Sequence, residues 1–224
     1  MKAALKEKMM LQRVAVYVAG LFVLAWGVAF SINSDLGVSP VNTLPVVVAR
    51  IFDTYPGMWT TGMMALFMLA QIVILRRKYK PVNLTQILFS FAFGVFLDAT
   101  LWMMRGLQFP TYFGRFAMLI ISIALISSGL TLIIGAKLVP LPPEGLCMVI
   151  AGLFKNGKFH VVKIIFDSSL VVAGAVLAFA FLGGMDGVLI SVREGTVISA
   201  VAIGKMIPYC QRLFAPLLSK FDGI

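Results

Sequence analysis

Two ionisable residues lie four positions apart inside an apolar stretch in the second half of the chain. Lys163 and Asp167 share one face of a helix, because residues four apart are neighbours on a helix surface. Charges inside an apolar membrane segment are costly and usually face a bundle interior or a cavity. The pair therefore has two interpretations. It is a structural ion pair, or it is a site whose ammonium holds an anionic group and whose carboxylate holds a cation or a proton.

Two further polar residues occupy matching places in the two halves. Asn42 follows Pro40, and Glu144 follows Pro142 and Pro143, with 102 positions between Asn42 and Glu144. Each opens a short apolar segment, where an acid or amide is first of all a helix cap. Because a duplicated, proline-broken half-helix is the best sequence indication of a transporter's binding site, we also expect both side chains to face one central cavity.

Other polar residues complete the candidates. Asp98 has no partner in its own apolar segment. The residues predicted to bind a solute are Asn42, Glu144, Lys163, Asp167, Asp98, Ser39, Thr43, Trp59 and Thr60. Those predicted to couple transport to a proton or ion are Glu144, Asp98 and His160. One histidine and two cysteines provide neither a catalytic triad nor a metal-binding spacing. We therefore expect no enzyme activity, no cofactor and no metal.

The elements that must position these residues are membrane helices. Hydrophobic residues make up 60% of the chain and charged residues 12%, whereas a soluble domain carries about 25% charged residues. A spanning helix needs about 20 apolar residues, and the candidate segments are 14–32, 57–75, 84–104, 116–136, 159–182 and 196–211. The net charge of +10 comes mostly from residues at the ends of these segments. That pattern is typical of a membrane protein and excludes a nucleic-acid-binding groove.

Two shorter segments, 41–52 and 144–154, decide the predicted topology. Each covers roughly 18 Å at about 1.5 Å per residue, less than a hydrocarbon core of about 30 Å. If both dip in and return, the basic cluster from Arg76 to Lys80 lies in the cytoplasm with the N-terminus, as the positive-inside rule requires. The predicted fold is one all-α membrane domain of two inverted repeats, 1–110 and 111–224. Each repeat has three spanning helices and one re-entrant half-helix. An eight-span bundle of parallel repeats is the alternative.

The order and duplication of these motifs resemble the YczE/YitT-like family of bacterial integral membrane proteins. The first copy reads Leu36-Gly37-Val38-Ser39-Pro40-Val41-Asn42-Thr43-Leu44, then Trp59-Thr60 and Gly94 with Asp98; the second reads Pro142-Pro143-Glu144-Gly145-Leu146, then Val162-Lys163, Gly195-Thr196 and Gly204. The resemblance implies a transporter in the bacterial cytoplasmic membrane. The charge distribution of the six-span arrangement predicts that both termini lie in the cytoplasm. Asn42 stands where the family has an acid, so the resemblance does not extend to the choice of solute.

The leading functional hypothesis is a small transporter of a small polar or charged organic solute, with its site between the two repeats. One alternative is the substrate-binding membrane subunit of an ATP-driven importer, with a docking face of small residues on the first helix, at Ala15, Ala19, Ala25 and Ala29. The other is a non-transporting structural or assembly protein. The expected partners are the solute and the lipid bilayer, with a second copy of the chain or an energising membrane protein left open, and no nucleic acid.

Overall fold

The computed structural model describes residues 2–107, 109–155 and 157–221, and all regular secondary structure in these ranges is helical. No strand occurs in these ranges. The helices are α1 Lys2–Asn33, α2 Pro40–Ile51, α3 Pro56–Leu75, α4 Thr85–Met103, α5 Tyr112–Gly135, α6 Pro142–Leu153, α7 Phe159–Phe181, α8 Met185–Ser191 and α9 Glu194–Leu218. Short 3-10 turns follow α3, precede α4 and follow α9, at Arg76–Lys78, Pro81–Leu84 and Ser219–Phe221.

Within these ranges, six segments are long and apolar enough to cross a membrane. They are Met9–Asn33, Pro56–Lys78, Pro81–Met103, Tyr112–Gly135, Val161–Phe181 and Met185–Leu218. Two shorter apolar helices, α2 and α6, have 12 residues each, or about 18 Å at the usual helical rise. The protein is therefore all-helical with six candidate spans, and the predicted difference in length between long and short segments is confirmed.

The last span differs from the sequence prediction at both ends. It was expected to end at Gln211, but α9 continues to Leu218 with Pro208 and Pro216 inside it. A membrane offers the backbone no water to bond with, so a helix tolerates such interruptions better than it tolerates ending early. Before α9, the chain turns at Gly183 and Gly184, both with positive φ, and then forms the seven-residue helix α8.

Helices α1 and α4 run in the same direction. The rings of Tyr17 and Phe89 lie 4.3 Å apart between centroids, and those of Phe22 and Phe96 lie 5.5 Å apart. Residue numbers therefore increase together along the two helices, which form the main apolar core with α5.

Helices α3 and α4 run in opposite directions. The backbone N–H of Gly57 donates to Asp98 Oδ1 at 2.7 Å, and Gln71 Nε2 donates to Gln86 Oε1 at 3.2 Å. Since α1 is parallel to α4, the C-terminal end of α1 and the N-terminal end of α3 lie on one side of the bundle. The chain therefore passes through α2 without crossing to the other side.

Helices α1 and α5 cross where two glycines lie against the facing backbone. A Cβ atom at Gly27 would come within 2.7 Å of the backbone nitrogen of Ile126, and a Cβ at Gly129 within 2.7 Å of that of Leu24. Gly27 and Gly129 are 102 positions apart, and so are Leu24 and Ile126. One contact is therefore made twice, once from each half. This close approach fixes the centre of the bundle.

Helices α5 and α9 run in the same direction, as α1 and α4 do. Ser128 Oγ lies 3.7 Å from Cys210 Sγ, and Gly135 at the end of α5 lies against Leu218 at the end of α9. The arrangement of α5 with α9 thus repeats that of α1 with α4.

Each short helix packs against the other half of the chain. Gly145 of α6 lies against the amide of Gln71 on α3, and Gly174 of α7 lies against Thr43 on α2. Thr43 and Gly145 are 102 positions apart, and Gln71 and Gly174 are 103 apart. This exchange of short helices ties the two halves together and places the start of each short helix near the bundle centre.

The small residues of α1 are divided between the interior of the bundle and its surface. Ala25 and Ala29 are fully buried inside the bundle, and the backbone carbonyl of Ala25 accepts a 3.4 Å hydrogen bond from Thr100 Oγ1. Ala15 and Ala19 are exposed. Half of the predicted face is therefore internal packing, because small residues serve close helix crossings inside a bundle as well as outside it.

Candidate functional site

A cavity of about 110 Å³ lies where the two halves meet. Equivalent positions from both halves line it, each pair 102 positions apart: Leu24 and Ile126, Val28 and Leu130, Asn42 and Glu144. Pockets for drug-sized ligands measure about 300–1,000 Å³. This cavity therefore suits a solute of a few heavy atoms.

Three charged groups gather at one wall of the cavity. Lys163 Nζ lies 2.9 Å from Asp167 Oδ1 and 3.4 Å from Glu144 Oε1. The spacing of Lys163 and Asp167 predicted their contact, whereas the contact of Lys163 with Glu144 joins two helices and has no signal in sequence spacing. With all three groups ionised, one ammonium faces two carboxylates, and the wall carries one net negative charge.

Prolines place Glu144 at the opening turn of α6. Pro142 and Pro143 occupy the first helical positions, where the missing N–H of proline costs no helical hydrogen bond. The carbonyl of Pro142 accepts a 3.0 Å hydrogen bond from Gln71 Nε2, and Gln71 is 1% exposed. A buried amide on α3 thus holds the start of α6, which aims Glu144 into the cavity.

Sequence reasoning missed the part played by Gln71 and its partner Gln86. Both are almost fully buried in the bundle, and they bond to each other. The available signal was a glutamine side chain inside an otherwise apolar span. Polar side chains in membrane helices usually form hydrogen bonds to another helix.

Asn42 and Ser39 form the matching corner at the start of α2. Asn42 Nδ2 donates to Ser39 Oγ at 2.9 Å, and both residues are less than a tenth exposed. This local bond fixes the side chain of Asn42 and leaves its Oδ1 without a partner among the described residues.

Buried polar atoms without a hydrogen-bond partner in the described part of the chain belong to three residues of the cavity lining. They are Asn42 Oδ1, Glu144 Oε2 and Ser199 Oγ. Leaving a buried acceptor unpaired costs about 1–3 kcal/mol, and more for a charged group. A bound solute or ordered water that donates hydrogen bonds would remove this cost.

Other predicted site residues lie outside this cavity. Asp98 accepts from the Gly57 N–H at the start of α3, in a small surface depression between α3 and α4. Thr43 and Thr60 each donate to a backbone carbonyl on their own helix or its cap. Trp59 donates to Thr54 Oγ1 at 2.6 Å and stacks on a neighbouring phenylalanine. Thr43, Thr60 and Trp59 are thus held by bonds within or near their own helices, and Asp98 by a bond between α3 and α4.

His160 belongs to the first turn of α7, and its side chain lies outside the described residues. Among the residues described, no group of three or more histidines, cysteines or acids is arranged to hold a metal ion.

The central cavity has a neighbour at one end of the bundle. A second cavity of about 270 Å³ shares Leu130, Leu141 and Glu144 with the first, and it extends to Lys137 and Phe159. Lys137, just after α5, is exposed. Glu144 therefore stands between the central cavity and the surface.

The other end is closed by the segment that starts α9. The N–H of Gly195 donates to the carbonyl of Leu36 at 2.7 Å, and Thr196 lies directly against Gly37. Arg193 adds a 2.9 Å hydrogen bond from Nη1 to the carbonyl of Asp35. The loop after α1 is thus covered by the start of α9.

Comparisons with known proteins extend over most of the chain. The sequence is 25% identical over 182 residues to the "Uncharacterized protein YyaS" of Bacillus subtilis (strain 168), covering 80% of this chain and 86% of that protein. No solved structure matches. Neither that relative nor the matching family model carries the YczE/YitT name, so that resemblance stays a prediction. The family model described as "Family of unknown function (DUF6198)" matches residues 11–212, and the chain belongs to this family.

Proposed function

We propose that the protein is a small membrane transporter that moves a small polar or charged organic solute through the central cavity. The observation that carries the proposal is the shared lining: Asn42 from one half and Glu144 from the other face one cavity, beside Lys163 and Asp167. Ionisable groups inside a membrane bundle are expensive and usually functional. Here the ionisable groups line a cavity that is large enough for a small solute.

The proposal includes two inverted repeats. Helix α1 is parallel to α4, α5 is parallel to α9, and the Gly27–Ile126 and Gly129–Leu24 contacts suit a two-fold relation between the halves. Secondary transporters commonly place the solute at such a repeat interface, near broken or short helices. Helices α2 and α6 would be those short helices.

Alternating access would follow from rocking of one half against the other. Arg193 bonds across the Asp35 end, and the second cavity extends from Glu144 towards exposed Lys137 at the other end. We propose that this is one of two alternating states, and that in the other the Asp35 end opens while the Lys137 end closes.

The proposed orientation places both termini in the cytoplasm of a bacterial cell. Arg13 near the N-terminus donates to the carbonyl of Phe221 at 3.1 Å, so the two termini share one end. The basic run Arg76–Lys78 and Lys137 lie at that end by the helix directions, which the positive-inside rule assigns to the cytoplasm.

A ligand screen tests the proposal. The detergent-purified protein is heated with a library of small metabolites, and a ligand at a hundred times its Kd adds about 2.7 kcal/mol of stability. Hits should lose binding in Asn42→Ala and Glu144→Gln and keep it in Asp186→Asn, an exposed acid on α8. If the hits bind all three variants equally, the binding site lies elsewhere. The absence of any hit favours a structural or assembly role, and co-purification of an ATPase pair favours the importer subunit.

A further inference from the structure

We infer that the central cavity selects a small monovalent organic cation, an alkylammonium with a short apolar tail, which pairs with Glu144. This rests on the proposed function and names the solute class for that same site.

The charge balance is the first step. Lys163 Nζ is 2.9 Å from Asp167 Oδ1 and 3.4 Å from Glu144 Oε1, so a single ammonium serves two carboxylates. Adding one solute cation gives two cations for two carboxylates. Adding an anion would instead leave three negative groups around one ammonium, at high cost in a site shielded from water.

The unpaired atoms give the second step. Glu144 Oε2 and Asn42 Oδ1 are both buried acceptors, both lack a partner among the described residues, and both belong to residues that line the cavity. Asn42 is 7% exposed. Ser199 Oγ, fully buried, adds a hydroxyl that accepts as readily as it donates. An alkylammonium brings three N–H donors, which match these acceptors in number and kind.

The third step concerns the N-terminal ends of α2 and α6, which offer an anion few free backbone N–H groups. Anions bind helix N-termini through free backbone N–H groups. Pro40 opens α2, and Pro142 and Pro143 open α6, so those N–H groups are missing. The N–H of Asn42 is already bonded to the carbonyl of Ser39 at 2.9 Å.

The remaining lining sets the size and the tail. Leu24, Val28, Phe93, Ile126 and Leu130 form an apolar wall, and the volume is about 110 Å³. A few methylene groups would be buried there, and their burial favours binding. A long or highly polar chain would not fit.

The test uses three probes of nearly equal size and different charge: n-propylammonium chloride, sodium propionate and propan-1-ol. Their dissociation constants for the purified full-length protein are measured by calorimetry at one salt concentration. We expect n-propylammonium to bind at least tenfold more tightly than the other two. Glu144→Gln should weaken its binding at least tenfold, and Lys163→Met should strengthen it, because the competing ammonium is removed. Asp53→Asn, an exposed acid outside the cavity, should leave the affinity unchanged.

Tighter binding of propionate or propan-1-ol overturns the inference, as does unchanged n-propylammonium binding in Glu144→Gln. Weaker binding in Lys163→Met also overturns it, since that result makes Lys163 the anchor of an anion. If Glu144→Gln does not fold, Asn42→Ala takes its place, with weakened n-propylammonium binding expected and unchanged binding contradictory. Failure of all three probes rejects the cation class. The proposed function would survive that failure if the metabolite screen still finds ligands whose binding depends on Asn42 and Glu144.

Discussion

Arg193 donates a hydrogen bond from Nη1 to the backbone carbonyl oxygen of Asp35 at 2.9 Å, joining the segment before α9 to the loop after α1. These residues are 158 positions apart, and the contact closes one end of the bundle. In the equivalent loop after α5, Lys137 is exposed and borders the second cavity. The asymmetry between two otherwise similar ends leads to the first prediction.

Removal of this contact should expose the cavity from its closed end. In a variant with Cys147 and Cys210 replaced, Ser39→Cys places a thiol in the cavity lining. Adding Arg193→Met should raise its labelling by an impermeant thiol reagent from outside the cell about tenfold, since a charged hydrogen bond contributes about 1.5–3 kcal/mol. Arg105→Met is the control, because Arg105 bonds the exposed Tyr55 hydroxyl at 3.1 Å. Equal labelling in both variants would show that Arg193 does not hold the end closed.

The topology prediction concerns α2, which we expect to enter the membrane and return to the same side. Tyr55, between α2 and α3, and Tyr79, between α3 and α4, should lie on opposite sides of the membrane, with Tyr79 in the cytoplasm. Tyr55→Cys should label from outside intact cells, and Tyr79→Cys only after permeabilisation. Labelling of Tyr79→Cys from outside would mean that α2 crosses the membrane.

The glycine crossing of α1 and α5 gives a stability prediction. Gly27→Ala and Gly129→Ala each place a Cβ within 2.7 Å of the facing backbone, and overpacking of this kind costs about 1–3 kcal/mol. Both variants should unfold at lower temperature in detergent. Gly204→Ala is the matched control, since a Cβ there meets nothing within 4 Å and alanine is the better helix former by about 1 kcal/mol. Equal thermal stability of all three variants would contradict the close crossing.

The charged wall gives a prediction that separates binding from folding. Asp167→Asn removes one carboxylate, and Lys163 then pairs with Glu144, so the fold should persist. Solute binding should weaken about tenfold, or about 1.4 kcal/mol, because the net negative charge is gone. The measurements are solute affinity and the folded yield by size-exclusion chromatography, with Asp186→Asn as control. A fall in yield as large as the fall in binding would make the group structural.

The sequence was sufficient for those parts of the fold that depend on local composition. Apolar length separates the six long helices from α2 and α6, and the spacing of Lys163 and Asp167 predicts their contact. The single shift of 102 positions holds for α1 with α5 and for α2 with α6. It becomes 103 for α3 with α7, because loops of different length separate the elements.

Contacts between distant segments were beyond the sequence. Asp98, predicted to face the cavity, instead bonds the Gly57 N–H, because helix spacing does not reveal which neighbour a face meets. The bond of Gln71 to the Pro142 carbonyl and the approach of Lys163 to Glu144 depend on the packing of α3 and α7 against α6. Such relations arise only when the halves assemble.

A cavity wall with one net negative charge would tie solute movement to the membrane potential. The empty carrier would reorient with that charge, whereas the carrier loaded with a monovalent cation would reorient electrically neutral. Each cycle then moves one positive charge inward. One elementary charge crossing 100 mV is worth about 2.3 kcal/mol, which corresponds to roughly fiftyfold accumulation at 1.4 kcal/mol per factor of ten. A cell with a negative interior could therefore concentrate such a solute with neither a coupled proton nor ATP.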